Sequence, residues 1–194
     1  MAELHLVSRH AIDTVFKLGG ALLSLESALP RALSALDRLS LEHSFLVIPG
    51  GGPFADAVRS VDASHSLTPD DAHWMAILGM DQYAILIASR IRSAELVHRR
   101  GEIARAVTRG RIPVLAPYRW LREADPLPHS WDVTSDSIAA WVAGEIGARQ
   151  LILIKPSIDD QRAMVDPFFE RTCPRALARV IVTPDMLTES LFPA

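Results

Sequence analysis

The chain holds only two lysines among its 20 basic residues, the other 18 being arginine. Each lysine closes an apolar, strand-like run: Thr14-Val15-Phe16-Lys17 and Leu151-Ile152-Leu153-Ile154-Lys155. In an open α/β sheet, ligands bind beyond the carboxyl ends of the strands. A lysine placed there offers a compact, mobile charge with three donors, which suits a phosphate that moves during a reaction. The plainer reading is an arginine-rich genome with two surface lysines left over. Glycines follow two such runs: Gly19-Gly20 after the first, and Gly50-Gly51-Gly52 after Phe45 to Ile48 and Pro49. Glycine lets backbone amides approach a ligand closely, and a helix start behind the turn favours an anion. Three consecutive glycines lose more conformational freedom than an ordinary turn requires. Anion contact is therefore expected at residues 50–52, with a purely structural tight turn as the alternative. Neither the P-loop lysine motif nor the dinucleotide-binding glycine pattern occurs.

Other residues carry weaker signals. Asp136 stands at the opening of a helical run, where it could serve as a helix cap. Arg59, two helical turns past the triple glycine, could hold an acceptor phosphate or lie on a solvated face. His73 and Trp74 fall in the first turns of an apolar helix, where Trp74 could stack on a planar substrate or fill the core. Asp132 could meet a substrate amine or cap a turn. The seven histidines show no zinc-like spacing with the single cysteine, so no protein-held metal is expected. Arg90, Arg92, Arg99 and Arg100 read as a solvated basic cluster.

These residues need elements to position them. Short β-type runs alternate with helical ones, the pattern of a mostly parallel sheet covered by helices. Strands are expected at 14–17, 45–48, 96–97, 112–116, 151–155 and 180–182. A helix with Pro30 in its first turn carries the stripe Leu29, Leu33, Leu36 and Leu39. Pro53 begins another. Thr68-Pro69-Asp70-Asp71 starts a long buried helix reaching about Arg92, with a threonine cap, a first-position proline and acidic residues at the positive end of the dipole. A short helix is expected at 102–109. Residues 117–131, with Pro126 and Pro128, read as a loop. A helix runs from Ser135 or Asp136 to Ile146, stopped by Gly147. Residues 156–178 are poorly patterned, and Thr183-Pro184 is expected to start a terminal helix.

Composition bounds the function. At 49% hydrophobic, a chain of this length can form one domain that buries roughly 70% of its unfolded surface. A net charge of -3 argues against a dedicated nucleic-acid binder. The longest apolar stretches fall far short of the ~20 residues of a spanning helix, so no membrane association is expected. Glu3, Arg9, Asp13 and Lys17 interrupt any export signal. A lone cysteine, Cys173, fits a reducing, cytoplasmic location.

Three segments acquire meaning together: Val15-Phe16-Lys17-Leu18-Gly19-Gly20, Val47-Ile48-Pro49-Gly50-Gly51-Gly52-Pro53 and Asp132-Val133-Thr134-Ser135-Asp136-Ser137-Ile138-Ala139-Ala140. In these, and in their order, the chain resembles the amino-acid kinase superfamily, which includes acetylglutamate, aspartate, uridylate and isopentenyl phosphate kinases. The stretches His73-Trp74-Met75-Ala76-Ile77 and Trp131 to Ile138 look like its aminomethylfuran-phosphate kinase branch of methanofuran biosynthesis. The resemblance implies a three-layer α/β/α sandwich with a mostly parallel open sheet. It implies a single domain over 1–194, with an acceptor-side half to about 130 and a nucleotide-side half beyond. ATP and Mg2+ are the implied cofactors. Lys17 would hold the transferring phosphoryl group, and Gly19 and Gly20 would present amides to the ATP phosphates. Gly50, Gly51 and Gly52 would line the acceptor side, Asp136 would orient the lysines, and Lys155 would sit beside the nucleotide. The family usually has Asp-Gly shortly after that position; here the sequence is Ser157-Ile158-Asp159-Asp160-Gln161. The activity implied is phosphoryl transfer from ATP to a small phosphomonoester, foremost aminomethylfuran methyl phosphate, giving a diphosphate. Uridylate or isopentenyl phosphate kinase activity is the nearest alternative, and a nucleotide- or oxyanion-storing protein is the non-catalytic one. The fold's usual self-association makes a homo-oligomer the expected state.

Overall fold

The computed structural model describes residues 12–158 and 165–192; Glu3, Arg9 and Asp159-Asp160-Gln161 lie outside the described residues. Six strands form one sheet: β1 (Thr14–Leu18), β2 (Phe45–Pro49), β3 (Ala94–Val97), β4 (Ile112–Leu115), β5 (Gln150–Ile154) and β6 (Ala178–Val182). All pairings are parallel, in the order β3-β4-β2-β1-β5-β6. The four inner strands are buried almost throughout, which is why their sequences are mostly apolar rather than alternating. The edge strands β3 and β6 are partly exposed.

Among the described residues seven helices accompany the sheet: α1 (Ala28–Leu39), α2 (Gly52–His65), α3 (Pro69–Ala88), α4 (Arg100–Thr108), α5 (Tyr118–Ala124), α6 (Ser135–Ile146) and α7 (Phe169–Thr172). On one face, α1 and the later turns of α3 (Tyr83, Ala84, Ile87) pack against Phe16, Leu18, Phe45, Val47, Ile152 and Ile154. On the other, α4, α5, α6 and the earlier turns of α3 (Trp74, Ile77, Met80) pack against Val15, Leu46, Ile48, Leu151 and Leu153. The result is the expected three-layer sandwich. Among the described residues no helix is long and apolar enough to cross a membrane.

Two consequences of this layout place the chemistry. The chain goes from β1 to β2 on one side and later to β5 on the other, so a crevice opens at the carboxyl ends of β1 and β5. Side chains alternate along a strand, so Lys17 shares the face of Val15, the face that α6 covers.

Three readings of the sequence are corrected. Residues 117–131 contain α5, whose Trp120 and Leu121 are buried; Pro126 and Pro128 fall beyond its end and punctuate the loop only. The long helix ends at Ala88 rather than near Arg92. After Thr183-Pro184 the chain forms two short 3-10 turns, Pro184–Met186 and Glu189–Leu191, instead of a helix. Contacts with α1 hold it there: Arg31 pairs with Asp185, and Arg38 donates to the Leu187 carbonyl at 3.2 Å.

The two glycine loops meet backbone to backbone. A Cβ on Gly20 would lie 2.2 Å from the Gly52 nitrogen and 2.5 Å from its Cα, and Gly52 itself has φ +54°. Neither neighbour can give way as a flexible side chain would. Gly20→Ala is therefore expected to lower the unfolding free energy by about 2–3 kcal/mol, the scale of overpacking. Gly101→Ala is the control: a Cβ there meets nothing within 4 Å, and a helical glycine replaced by alanine is stabilised by a few tenths to about 1 kcal/mol. Urea unfolding of both variants checks the pair.

Candidate active site

The strand alternation brings Lys17 up from β1 beneath the start of α6. Lys155, one residue past β5, arrives from beside it. Asp136, in the first turn of α6, stands between them: its Oδ1 lies 2.6 Å from the Lys17 Nζ, and its Oδ2 accepts a hydrogen bond of 2.7 Å from the Lys155 Nζ. Lys17 and Asp136 are each only 3% exposed. Asp136 does not cap its helix; Thr134 does, its Oγ1 facing the Asp136 amide.

Two ammonium groups around one carboxylate leave a surplus positive charge in a mostly dry place. Burial alone would raise the Asp136 pKa, but Lys17 and Lys155 outweigh it and hold the carboxyl below its ordinary value. Burial, and then the charge of Lys17, push Lys155 down to about 8 despite Asp136. At neutral pH the group is still largely protonated and poised for an anion to offset its neighbour.

The trio forms the floor of a cavity of about 660 Å³. Gly20, Gly51 and Gly52 line it beside the floor, and Arg59 and His73 line its α2–α3 wall. Gly19 and Gly50 do not: their amides are committed to the sheet, donating to Ile154 at 2.9 Å and Leu18 at 2.7 Å. Trp74 lies in the core rather than in the cavity, edge-on to His73 and Tyr118 and beneath the Arg122 guanidinium. Asp132 is exposed and points its backbone, not its carboxylate, into the local hydrogen bonding.

The structure adds residues that the sequence did not single out. Trp131 lines the cavity, donating its indole N–H to Asp62 at 2.8 Å, with the Arg59 guanidinium 4.6 Å above its ring. Arg59 is further held by Asp56 at 2.8 Å. His129 is clasped between Asp70 (2.6 Å) and Asp125 (2.9 Å) and stacks on His73 at 4.2 Å. Burial works against the charge of His129, but the two carboxylates overcome it and raise its pKa. Burial, and then His129, push His73 down to about 4, so a neutral imidazole faces the cavity at pH 7. The cavity thus joins a cationic floor to a wall made of a guanidinium, an indole and an uncharged imidazole. Trp131 stood within a recognised stretch but had no partner nearby in sequence; Asp62 is 69 positions away.

Comparison with known proteins bears on the family and the fold. The sequence model of the amino acid kinase family matches residues 14–157. A relative from Methanocaldococcus jannaschii, named [5-(aminomethyl)furan-3-yl]methyl phosphate kinase, is 29% identical over 143 residues, which is 72% of this chain. The chain spans 63% of that relative's length in the match. Among solved structures, a uridylate kinase from Archaeoglobus fulgidus aligns with a TM-score of 0.70 at 17% identity, covering 93% of this chain and 95% of its own. A UMP kinase from Ureaplasma parvum aligns at 0.59 and 14% identity, covering 77% and 71%. At these identities the solved structures speak for the fold.

The surplus charge has a stability signature. Lys155 titrates at about 8 in the folded chain against 10.5 ordinarily. Between those values the unfolded chain binds the extra proton, so this group makes stability rise with pH from about 8 to 10.5. Lys155→Met is expected to abolish that rise. At pH 7 it should increase the unfolding free energy by about 1–3 kcal/mol, since a desolvated ion gives way to an apolar chain of similar length. Denaturant melts at pH 7 and 9.5 measure both effects.

Proposed function

Because the chain belongs to the amino acid kinase family, we propose that it is an ATP-dependent kinase whose acceptor is the phosphate of a small phosphomonoester, foremost aminomethylfuran methyl phosphate, converted to its diphosphate. The observation that carries this is the pair of ammonium groups, Lys17 buried and Lys155 half-buried, around one carboxylate at the floor of the cavity. The name of the Methanocaldococcus relative supports the choice of acceptor. A wall of indole, neutral imidazole and guanidinium also suits a flat ring bearing a phosphate.

The residues present fit a nucleotide polyphosphate, because the floor carries one more positive charge than negative. MgATP supplies the activated phosphoryl group and a divalent charge of its own. Lys17, immobilised in β1, would meet the transferring group, and Lys155 the phosphates of the donor. Asp136 fixes both ammonium groups and is itself held ionised, so it orients rather than accepts a proton. No general base is needed: a phosphomonoester oxygen is already ionised near neutral pH. Catalysis then consists of bringing two anions together and stabilising the charge on the group passing between them. Arg59, braced by Trp131 and Asp56, would hold the acceptor phosphate, and Gly51 and Gly52 would approach it with their backbone.

ADP release with MgATP and a panel of acceptors tests the reading. The furan phosphate should turn over faster than UMP, isopentenyl phosphate or an amino-acid carboxylate. UMP turnover without furan turnover would move the assignment to a uridylate kinase. Tight ATP binding with no ADP release from any acceptor would leave a storage protein.

Lys17 separates catalysis from binding. An interaction that strengthens in the transition state appears in kcat, and losing one such donor costs on the order of 10²–10³ in rate, about 3–4 kcal/mol. Lys17→Ala should therefore lower kcat at least about a hundredfold, while ATP affinity, measured by calorimetry, falls much less. Lys17→Arg should recover little, because a planar fork places its charge elsewhere.

A further inference from the structure

Asp166 lies on the segment before α7, 30 positions beyond Asp136, and is 8% exposed. Its carboxylate accepts five hydrogen bonds. Oδ2 takes the Thr134 amide (3.0 Å), the Thr134 hydroxyl (2.8 Å) and the Ser137 amide (3.0 Å). Oδ1 takes the Ser137 hydroxyl (2.5 Å) and the Phe168 amide (3.1 Å). Four of the five come from the residues that bracket Asp136 at the start of α6. We propose that Asp166 is a positioning residue for phosphoryl transfer, locking the first turn of α6 so that the Asp136 carboxylate stands between Lys17 and Lys155. The proposal rests on the kinase reading above.

A helix start leaves several amides without partners, and one capping side chain ordinarily serves them. Here the capping Thr134 reaches the Asp136 amide only at 3.4 Å, and its hydroxyl hydrogen is given to Asp166. The cap is therefore built in two layers, and the outer layer is a charged acceptor whose hydrogen bonds are roughly twice as strong as neutral ones. Among the described residues the donors to Asp166 are N–H and O–H groups, four of the five from the start of α6. That directs it at the backbone of α6 rather than at the lysines. Asp136 touches two ammonium groups at 2.6 and 2.7 Å, and a small rotation of the first turn would lengthen one contact or both. A misplacement of about 1 Å at a reacting centre can cost 10² in rate.

Asp166→Asn keeps the shape but turns donors toward donors. It is expected to lower kcat at least about tenfold, with KM for ATP within about threefold of wild type. A readout independent of activity is the NMR titration of lysine labelled at Cε, since the chain contributes only two lysine signals. Lys155 is faced by Lys17 from β1 and by Asp136 from α6; withdrawing Asp136 removes the charge that favours its protonation. Its midpoint should fall further below the wild-type value, by about half a unit or more. Asp81→Asn is the structural control. Asp81 accepts the Tyr118 amide at 3.0 Å at the start of α5, away from the cavity. It should lower the melting temperature while leaving kcat and the lysine titration unchanged. If Asp166→Asn fails to fold, Ser137→Ala removes a single bond and should lower kcat about three- to tenfold with the same direction of titration shift. Wild-type kcat with an unmoved Lys155 midpoint would overturn the proposal, as would a loss of activity in Asp166→Asn with that midpoint unmoved. If wild-type protein turns over no acceptor, the kinase reading falls and the titration alone decides whether Asp166 positions Asp136.

Discussion

Everything in the cavity is arranged around one carboxylate that holds two ammonium groups apart and in place. Without Asp136, Lys17 and Lys155 would face each other as like charges in a poorly solvated crevice, and Lys155 would lose the neighbour that favours its protonation. With it, the directions of both are fixed. The carboxylate neutralises only one of them, so the trio stays unsatisfied in a way that an incoming polyphosphate can complete. This is a site that is less stable empty than it could be, a common relation between function and folding.

The fold meets the demand from three directions. β1 delivers Lys17 by alternation, β5 ends just where Lys155 can turn inward, and α6 begins above both. The strand order reverses between β1 and β5, so no helix crosses the space between their carboxyl ends. Asp136 reaches the lysines only because its helix start is anchored by Thr134 and by a carboxylate from a later segment. The wall of the cavity, in contrast, comes from α2, α3 and the chain before α6, elements that touch the trio little. In the proposed function, transfer chemistry and acceptor recognition are thus assigned to different parts of the sandwich.

Much of this was readable in the amino-acid order, and the reasons are specific. The inner strands of a parallel sheet are buried on both faces, so β1, β2, β4 and β5 are written as mostly apolar runs, with Lys17 the one charged residue among them. Thr68-Pro69-Asp70-Asp71 marks its helix because capping is a local interaction. Lys17 and Lys155 stood out because each closes an apolar run, whereas Asp136 stood out through the resemblance of its stretch to the family. Helix α5 was hidden because its flanking prolines dominate a short segment. His73 and Trp74 looked equivalent as neighbours, yet consecutive helical residues point about 100° apart, so one faces the cavity and the other the core. His129 and Asp166 gave no signal: Asp125 is a near neighbour of His129, but its second carboxylate, Asp70, lies 59 positions away, and the α6 partners of Asp166 lie about 30 positions away, so only the folded chain completes either set.

The contact between Gly20 and Gly52 has a consequence for how such a protein can diversify. With no side chain between them, the separation of the two loops is set by the van der Waals radii of main-chain atoms, a gauge that substitution elsewhere does not reset. The span across which a phosphoryl group must pass is therefore fixed by covalent geometry. Arg59, His73 and Trp131 stand outside that gauge. Under the proposed function, a lineage that exchanges them changes the molecule it accepts, while the distance over which the reaction occurs is inherited intact.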